Sequence, residues 1–299
     1  MSYTEHAVAT LPPGVKLGAR AGRVSLDSLG WPLGRPGRLA APGSTLADLG
    51  PGDHVVGFTQ NVSFSWPVMG TRAMVSVIMA EPQAIHGAKQ HRVARIASRF
   101  HRVLSYNESL LARLPNGLFF PCGGAWVSDW RERDLSKHAT CSLIASEKRS
   151  QEGHVLRHAM AQRVRREGCD VAVLGRGYAP FADKAEGLAP YRYSLVIENA
   201  RERNYFTEKL LDAVLCRTVP IYWGCPNIGD FMDVSGMILC ETEEDMARAL
   251  SMMSREDYAA RLPGLHAAAE VAELYSDIYL RAAHALLADA PVPPAGRPQ

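Results

Sequence analysis

Apolar and polar positions change period repeatedly along the chain. Short apolar runs at Val55 to Thr59, Met74 to Ala80, His101 to Leu104, Thr140 to Ala145, Asp170 to Leu174, Tyr193 to Ile197 and Val219 to Trp223 read as buried strands. Stretches with helical spacing lie between them. Ala88 to Phe100 puts Val93, Ile96, Ala97 and Phe100 on one face, and His154 to Glu167, Glu208 to about Arg217 and Glu243 to Met253 read as further helices. Ser105 followed by Glu108 has the spacing of a capping box, and Pro115-Asn116-Gly117 stops the short helix after it. Strand and helix alternate in two blocks. This rhythm predicts parallel βαβ units, and hence an α/β chain of two Rossmann-like lobes facing a cleft.

The lobes are expected at residues 1–135, on the acceptor side, and 136–262. Residues 1 to about 50 are rich in Gly, Pro and Arg and read as loops wrapping a lobe. Within residues 263–290, Leu265 to Leu287 reads as one long helix, with Val271, Leu274, Ile278 and Leu286 apolar and Arg281 near its end. Such a helix can make peripheral contact with a bilayer, but packing across the two lobes is the preferred reading. Residues 291–299 are proline-rich and are expected to be disordered.

Composition narrows the picture. The 299 residues, 47% hydrophobic, suffice for a packed core in one large or two smaller domains. With 33 Lys+Arg against 31 Asp+Glu, no basic excess calls for nucleic acid. Arg163, Arg165 and Arg166 read as a solvated helix face. The six cysteines lack any C-x-x-C spacing, which argues against a zinc site and for small buried apolar groups. Met1 to Lys16 has no continuous apolar core of the signal-peptide kind, and no run reaches the roughly 18 apolar residues of a spanning helix. A reducing, cytoplasmic setting is expected, in which the acceptor-like triplets at Asn61 and Asn107 carry little weight.

Chemistry concentrates between Tyr193 and Gly224, YSLVIENARERNYFTEKLLDAVLCRTVPIYWG. The strand delivers Glu198 and Asn199 at its carboxyl end, the edge where open α/β sheets bind ligands. Thr207 is a natural N-cap, and Leu210, Leu211, Val214 and Leu215 bury one face of the helix it starts. Glu208 and Lys209 then occupy the first turn, beside free N–H groups able to bind an anion such as a diphosphate. Lys209 adds a charged donor, and Glu208 can accept from sugar hydroxyls. Glu208 alone would be explained by the helix dipole. The convergence of Glu198, Asn199, Tyr205 and Lys209 on the same edge favours a binding site. Tyr222 and Trp223 read as packing aromatics.

The run ENARERNYFTEKLLDAVLCRTVPIYWGCPNIGDF resembles the donor-binding signature of the glycosyltransferase family 10 α-1,3/4-fucosyltransferases. Its elements are Glu198-Asn199, Tyr205-Phe206-Thr207-Glu208-Lys209, Asp212-Ala213 and Pro220-Ile221-Tyr222-Trp223-Gly224. Upstream, Ser146, Lys148 and Arg157 fit the family's loop and diphosphate-binding arginine, with Arg149 as the alternative register. The resemblance implies a GT-B fold and an inverting transfer of fucose from GDP-fucose to a hydroxyl of a glycan acceptor. It gives Arg157 and Lys209 to the diphosphate and Glu208, Asn199 and Tyr205 to ribose or fucose, with Glu198 and Thr207 completing the donor-binding set. The family's base lies in a Glu-Ser-Pro-like motif after a strand of the first lobe. Met79-Ala80-Glu81-Pro82 fits that pattern, so Glu81 is the expected base, held extended by Pro82. His54, His86 and His91 are chemical alternatives to it.

No cofactor is demanded by the sequence. No Asp-x-Asp follows a strand, a divalent ion is left open, and the absence of a P-loop or G-x-G-x-x-G disfavours NTP hydrolysis and dinucleotide chemistry. Three alternatives stand beside the fucosyltransferase reading. The fold could serve another nucleotide sugar, the chain could be a non-catalytic nucleotide-sugar or glycan-binding protein, or it could be a structural subunit of a glycan-assembly complex. No sequence feature fixes the acceptor or the oligomeric state.

Overall fold

The computed structural model describes residues 6–18, 20–62 and 69–288. They form two compact units, one of the described residues up to 122 together with 278–288 and one of residues 123–277, each built on a five-stranded sheet.

The first unit has parallel strands β1 (Val8–Thr10), β2 (His54–Phe58), β3 (Met74–Met79), β4 (Val103–Ser105) and β5 (Gly117–Phe119) in that spatial order. Alternation sorts their side chains to two faces. Ala9, Val55, Val75, Val77, Met79 and Val103 share one core, while Val8, Val56, Ile78 and Leu104 pack on the other face with Ala282, Ala283 and Leu286 of the Ile278–Ala288 helix. The first fifty residues are more than a wrapping. Their Val8–Thr10 segment is an edge strand of the sheet, and Leu26, Leu39, Leu46 and Leu49 fill the core. Short three-residue 3-10 turns, rather than long periodic elements, deliver those leucines, which is why the periodicity is weak there.

Two local expectations are corrected. Helix α1 runs Gln83–Arg95, starting directly after Pro82, and a separate 3-10 turn covers Ala97–Arg99. Ser105 is the last residue of β4, paired with Phe119. Asn107 instead caps α2 (Glu108–Leu111), its Oδ1 accepting from the Leu110 N–H at 3.0 Å.

The second unit has strands β6 (Ala139–Ile144), β7 (Val171–Leu174), β8 (Tyr191–Ile197), β9 (Val219–Trp223) and β10 (Ile238–Leu239), all parallel, in the spatial order β10-β9-β8-β6-β7. Helices α3 (Glu152–Glu167), α4 (Glu208–Leu215), α5 (Glu243–Met252) and α6 (Arg255–Tyr275) follow in chain order. The chain passes from β6 through α3 to β7, then returns to lay β8 on the other side of β6. That reversal puts a topological switch point between β6 and β8, where open α/β sheets bind ligands. Helix α4 buries Leu210 through Leu215 and packs on α6.

The expected single helix from Leu265 to Leu287 is two. α6 ends at Tyr275, the Ser276 hydroxyl donates back to the Glu273 carbonyl at 2.7 Å, and a new helix starts at Ile278. The segment therefore supplies α6 to one unit and the Ile278–Ala288 helix to the other. Among the described residues no helix is long and apolar enough to cross a membrane. Residues 291–299 lie outside the described residues.

Candidate functional site

The expected donor-side residues gather at the carboxyl edge of the second sheet, around the β6/β8 switch point. The start of α3 lies directly on the chain leaving β8. The Gly153 N–H donates to the Asn199 carbonyl at 3.1 Å, and a Cβ at Gly153 would stand 1.7 Å from the Glu198 carbonyl oxygen. Only glycine permits this approach. It sets Arg157, one turn further on, against the end of β8. Arg157 is 5% exposed; its Nε and Nη2 donate to the Ile197 carbonyl at 3.0 and 2.7 Å, and Nη2 also donates to Asn199 Oδ1 at 2.8 Å. Arg149, the alternative register, is exposed in the loop between β6 and α3. Arg157 belongs to the second turn of α3 and does not open the helix.

At the start of α4, Thr207 is the N-cap, its hydroxyl accepting from the Lys209 N–H at 3.3 Å. Glu198 is fully buried beneath it. Glu198 Oε1 accepts from the Thr207 N–H at 2.8 Å and Oε2 from the Thr207 hydroxyl at 2.7 Å. The Lys209 ammonium lies 3.0 Å from Glu208 Oε1, 3.1 Å from Thr207 Oγ1 and 3.6 Å from Glu198 Oε2. Burial raises the Glu198 pKa from its ordinary value against the opposing pull of Lys209. Burial acts against the Glu208 charge too, but Lys209 and Lys184 outweigh it and hold that carboxyl below its usual value. Burial likewise opposes the Lys209 charge, and Glu198 with Glu208 outweighs it, so its pKa is raised.

This arrangement divides the expected set. Asn199, Thr207, Glu208 and Lys209 are half-buried and border the surface. Glu198 and Tyr205 were expected to face the ligand, but they are 0% and 2% exposed. Glu198 serves as an internal anion for the α4 start, because its oxygens are taken up by the cap and by Lys209.

Several partners had little local signal in the sequence. Asp212 is fully buried; its Oδ1 accepts from the N–H groups of Trp126 at 2.9 Å and Val127 at 3.1 Å, and its Oδ2 lies 2.6 Å from the Lys184 ammonium. Lys184 also donates to the Glu208 carbonyl at 3.2 Å, so two separate chain segments, at Trp126–Val127 and at Lys184, are tied to α4. An acidic residue within the apolar run LLDAVL marked Asp212 as unusual; nothing local marked Lys184. His158 joins two loops of the carboxyl edge, with Nδ1 2.6 Å from the Tyr178 hydroxyl and Nε2 3.1 Å from the Lys148 carbonyl. That carbonyl can only accept, so Nε2 donates. A groove of about 440 Å³ lies between the first half of α3 and the residues that end β9 and follow β10, lined by Glu152, Trp223, Glu241 and Glu243 among others.

Glu81 belongs to the first unit. It follows β3 as an exposed residue just before Pro82, and the Tyr106 hydroxyl reaches its carbonyl at 3.5 Å. Among the histidine alternatives, His54 is buried at the opposite, amino end of β2. His91 is exposed on α1 with Nδ1 2.7 Å from the Gly87 carbonyl. The side chain of His86 lies outside the described residues.

Comparison with known proteins bears on the unit that holds this constellation. Residues 135–259 match the model of the glycosyltransferase family 10 (fucosyltransferase) C-terminal region. These residues form a family 10 domain. The chain is 44% identical over 46 residues to an α-(1,3)-fucosyltransferase FucT of Helicobacter pylori, a match covering 15% of this chain and 10% of that protein. It is 35% identical over 75 residues to an α-(1,4)-fucosyltransferase of Arabidopsis thaliana, covering 25% of this chain and 17% of that one. The matches thus span less than a fifth of these relatives' lengths. Among solved structures, an α1,3-fucosyltransferase with GDP is similar with a TM-score of 0.50 and 14% identity, over 88% of this chain and 83% of that one. Alr3699/HepE of Anabaena, in complex with UDP and glucose, is similar with a TM-score of 0.51 and 13% identity, over 79% and 78%. The fold is of the GT-B kind, two parallel-sheet α/β units in one chain. The matched residues include every residue of the carboxyl-edge site described above from Lys148 to Lys209.

Proposed function

We propose that the chain is an inverting glycosyltransferase that transfers fucose from GDP-fucose to a hydroxyl of a glycan. The observation that carries this reading is the coincidence of the family 10 domain with the cationic edge formed by Arg157 and Lys209 beside Glu208. Departure of a nucleoside diphosphate requires positive charge where the leaving oxygens gain electrons. Arg157 suits this task. Its hydrogen bonds to Ile197 and Asn199 use Nε and Nη2, so Nη1 is left for a ligand while the guanidinium is already held in place. Lys209 supplies a second charge, and Glu208, kept ionised by two lysines, accepts from ribose or sugar hydroxyls. Glu198 positions Thr207 and Lys209 from the interior. Glu81 is the carboxylate proposed to take the acceptor proton as the anomeric carbon is attacked.

Incubating purified protein with GDP-fucose, UDP- and dTDP-sugars and a panel of glycans tests the reading. The expected products are GDP and a fucosylated glycan whose new bond has the opposite anomeric configuration to the donor. Glu81→Ala should abolish transfer and the slow release of fucose to water without weakening donor binding. Turnover of a UDP- or dTDP-sugar alone would overturn the fucose assignment, and tight binding without turnover would favour a binding protein.

A further inference from the structure

The two helix starts at the site differ in electrostatic state. The start of α4 is already occupied: Thr207 caps it, and the buried carboxylate of Glu198 receives the Thr207 N–H and hydroxyl. The start of α3 has no such internal anion. Its N-cap, Gln151, makes no side-chain hydrogen bond to the first turn. The Gly153 N–H is taken by the Asn199 carbonyl and Glu152 stands exposed in the first turn, but the amino end of a sixteen-residue helix still presents about half a positive charge. In its first turn stands His154, 5% exposed, with Nδ1 sealed from solvent and without a hydrogen-bond partner. An unsatisfied buried polar atom costs about 1–3 kcal/mol, so its persistence calls for a reason.

We infer that the imidazole of His154 is a phosphate-binding group, which takes up one proton from solvent when a diphosphate seats at the start of α3 and then donates to it. The inference rests on the donor reading above and adds a residue and a proton to it. The cations that bear on the ring come from three elements, Arg157 on α3, Lys148 in the loop after β6 and Lys209 on α4, while the acidic Glu152 stands in the same first turn. Glu198 and Glu208 offset part of the charge of Lys209 and Arg157. In the free protein, burial first and then these cations push the His154 pKa down to about 4, so the ring is neutral at pH 7. A bound diphosphate reverses the balance. It brings negative charge into a cluster of cations, offers the acceptor oxygen the ring lacks, and makes the imidazolium the favoured form.

The consequence is linkage between anion binding and protonation. If binding restores the ring to an ordinary pKa of about 6.5, affinity should rise about tenfold between pH 7.5 and pH 5.5. The test is isothermal calorimetry with two probes, GDP and inorganic pyrophosphate, at both pH values and in buffers of different ionisation enthalpy. Wild type is compared with His154→Gln, and with His154→Asn in case the first variant folds poorly. Subtracting variant from wild type removes the probes' own ionisation. The expected result is net proton uptake near pH 6 and a roughly tenfold pH effect in wild type, both lost in the variants. Pyrophosphate binding with this signature, but no GDP binding, would uphold the inference and overturn the nucleotide reading. GDP binding with identical proton uptake in wild type and a folded variant would overturn the inference and leave the nucleotide reading standing. Failure of wild type to bind either probe would overturn the inference.

Discussion

Thr207 donates twice to Glu198, through its N–H at 2.8 Å and its hydroxyl at 2.7 Å, while the same hydroxyl accepts from the Lys209 N–H. A single threonine thus couples a buried carboxylate at the end of β8 to the first turn of α4. Removing the carboxylate strands the Thr207 donors and leaves Lys209 and Arg157 short of an anion. Glu198→Ala is expected to cost about 3–5 kcal/mol in thermal or urea unfolding, and Glu198→Gln, which keeps one acceptor, clearly less. A melt of the alanine variant matching wild type would show that the network does not hold the helix.

Gly153 permits the approach of α3 to the chain leaving β8. Alanine there would drive a Cβ to 1.7 Å from the Glu198 carbonyl, against backbone that has no rotamer to yield. Gly153→Ala should destabilise by at least about 1–3 kcal/mol and, by displacing Arg157, weaken GDP binding. Calorimetry at a temperature where the variant is still folded separates the two effects. Unchanged GDP affinity would dissociate the glycine from the arginine.

Arg157 is fixed by two donors to one carbonyl and a third contact to Asn199. A lysine cannot hold that carbonyl and present a further N–H pair in a plane. Arg157→Lys is expected to lower donor affinity by about tenfold or more, the equivalent of one lost charge-assisted hydrogen bond at about 1.5–3 kcal/mol. Equal donor affinity in the variant, measured by titration, would remove Arg157 from the diphosphate.

In the first unit, Asp53 accepts from the N–H groups of Ala7 at 2.9 Å and Gly50 at 2.8 Å and pairs with Arg38. Burial opposes its charge, but Arg38 and the two N–H groups outweigh burial and hold its pKa below the usual aspartate value. A lowered folded pKa means the folded state binds protons less readily than the unfolded chain. The contribution is therefore complete above about pH 4 and is lost as pH falls through the lowered folded value. Asp53→Asn should be less stable than wild type at neutral pH, with the gap closing on acidification. A constant gap from pH 7 to pH 3 would contradict the assignment.

Much of the fold was legible because parallel strands buried on both faces read as apolar runs. The second unit's strands, apart from two-residue β10, lie within a residue or two of their expected places. Three-residue strands such as β1 and β5 are too short to show a period, and the 3-10 turns of the first fifty residues scatter their leucines irregularly. The Leu265 to Leu287 helix was read as one because Ser276-Asp277 carries neither Gly nor Pro. Within the site, Thr207, Glu208 and Lys209 were legible from capping chemistry, since their positions depend only on neighbours in sequence. The closure of Glu198 by Thr207, the grip of Lys184 on Asp212 and the cation cluster around His154 join residues from separate segments. No local pattern encodes such contacts.

The most direct test of the account is donor binding by wild type and Glu208→Ala, followed by calorimetry with GDP-fucose, UDP-glucose and dTDP-rhamnose. The account predicts that wild type binds GDP-fucose selectively and that Glu208→Ala, while still folded, loses at least about tenfold in affinity, as expected for removal of a charged acceptor. Binding of GDP-fucose unaffected by Glu208→Ala, or no binding of any nucleotide sugar by wild type, would contradict it.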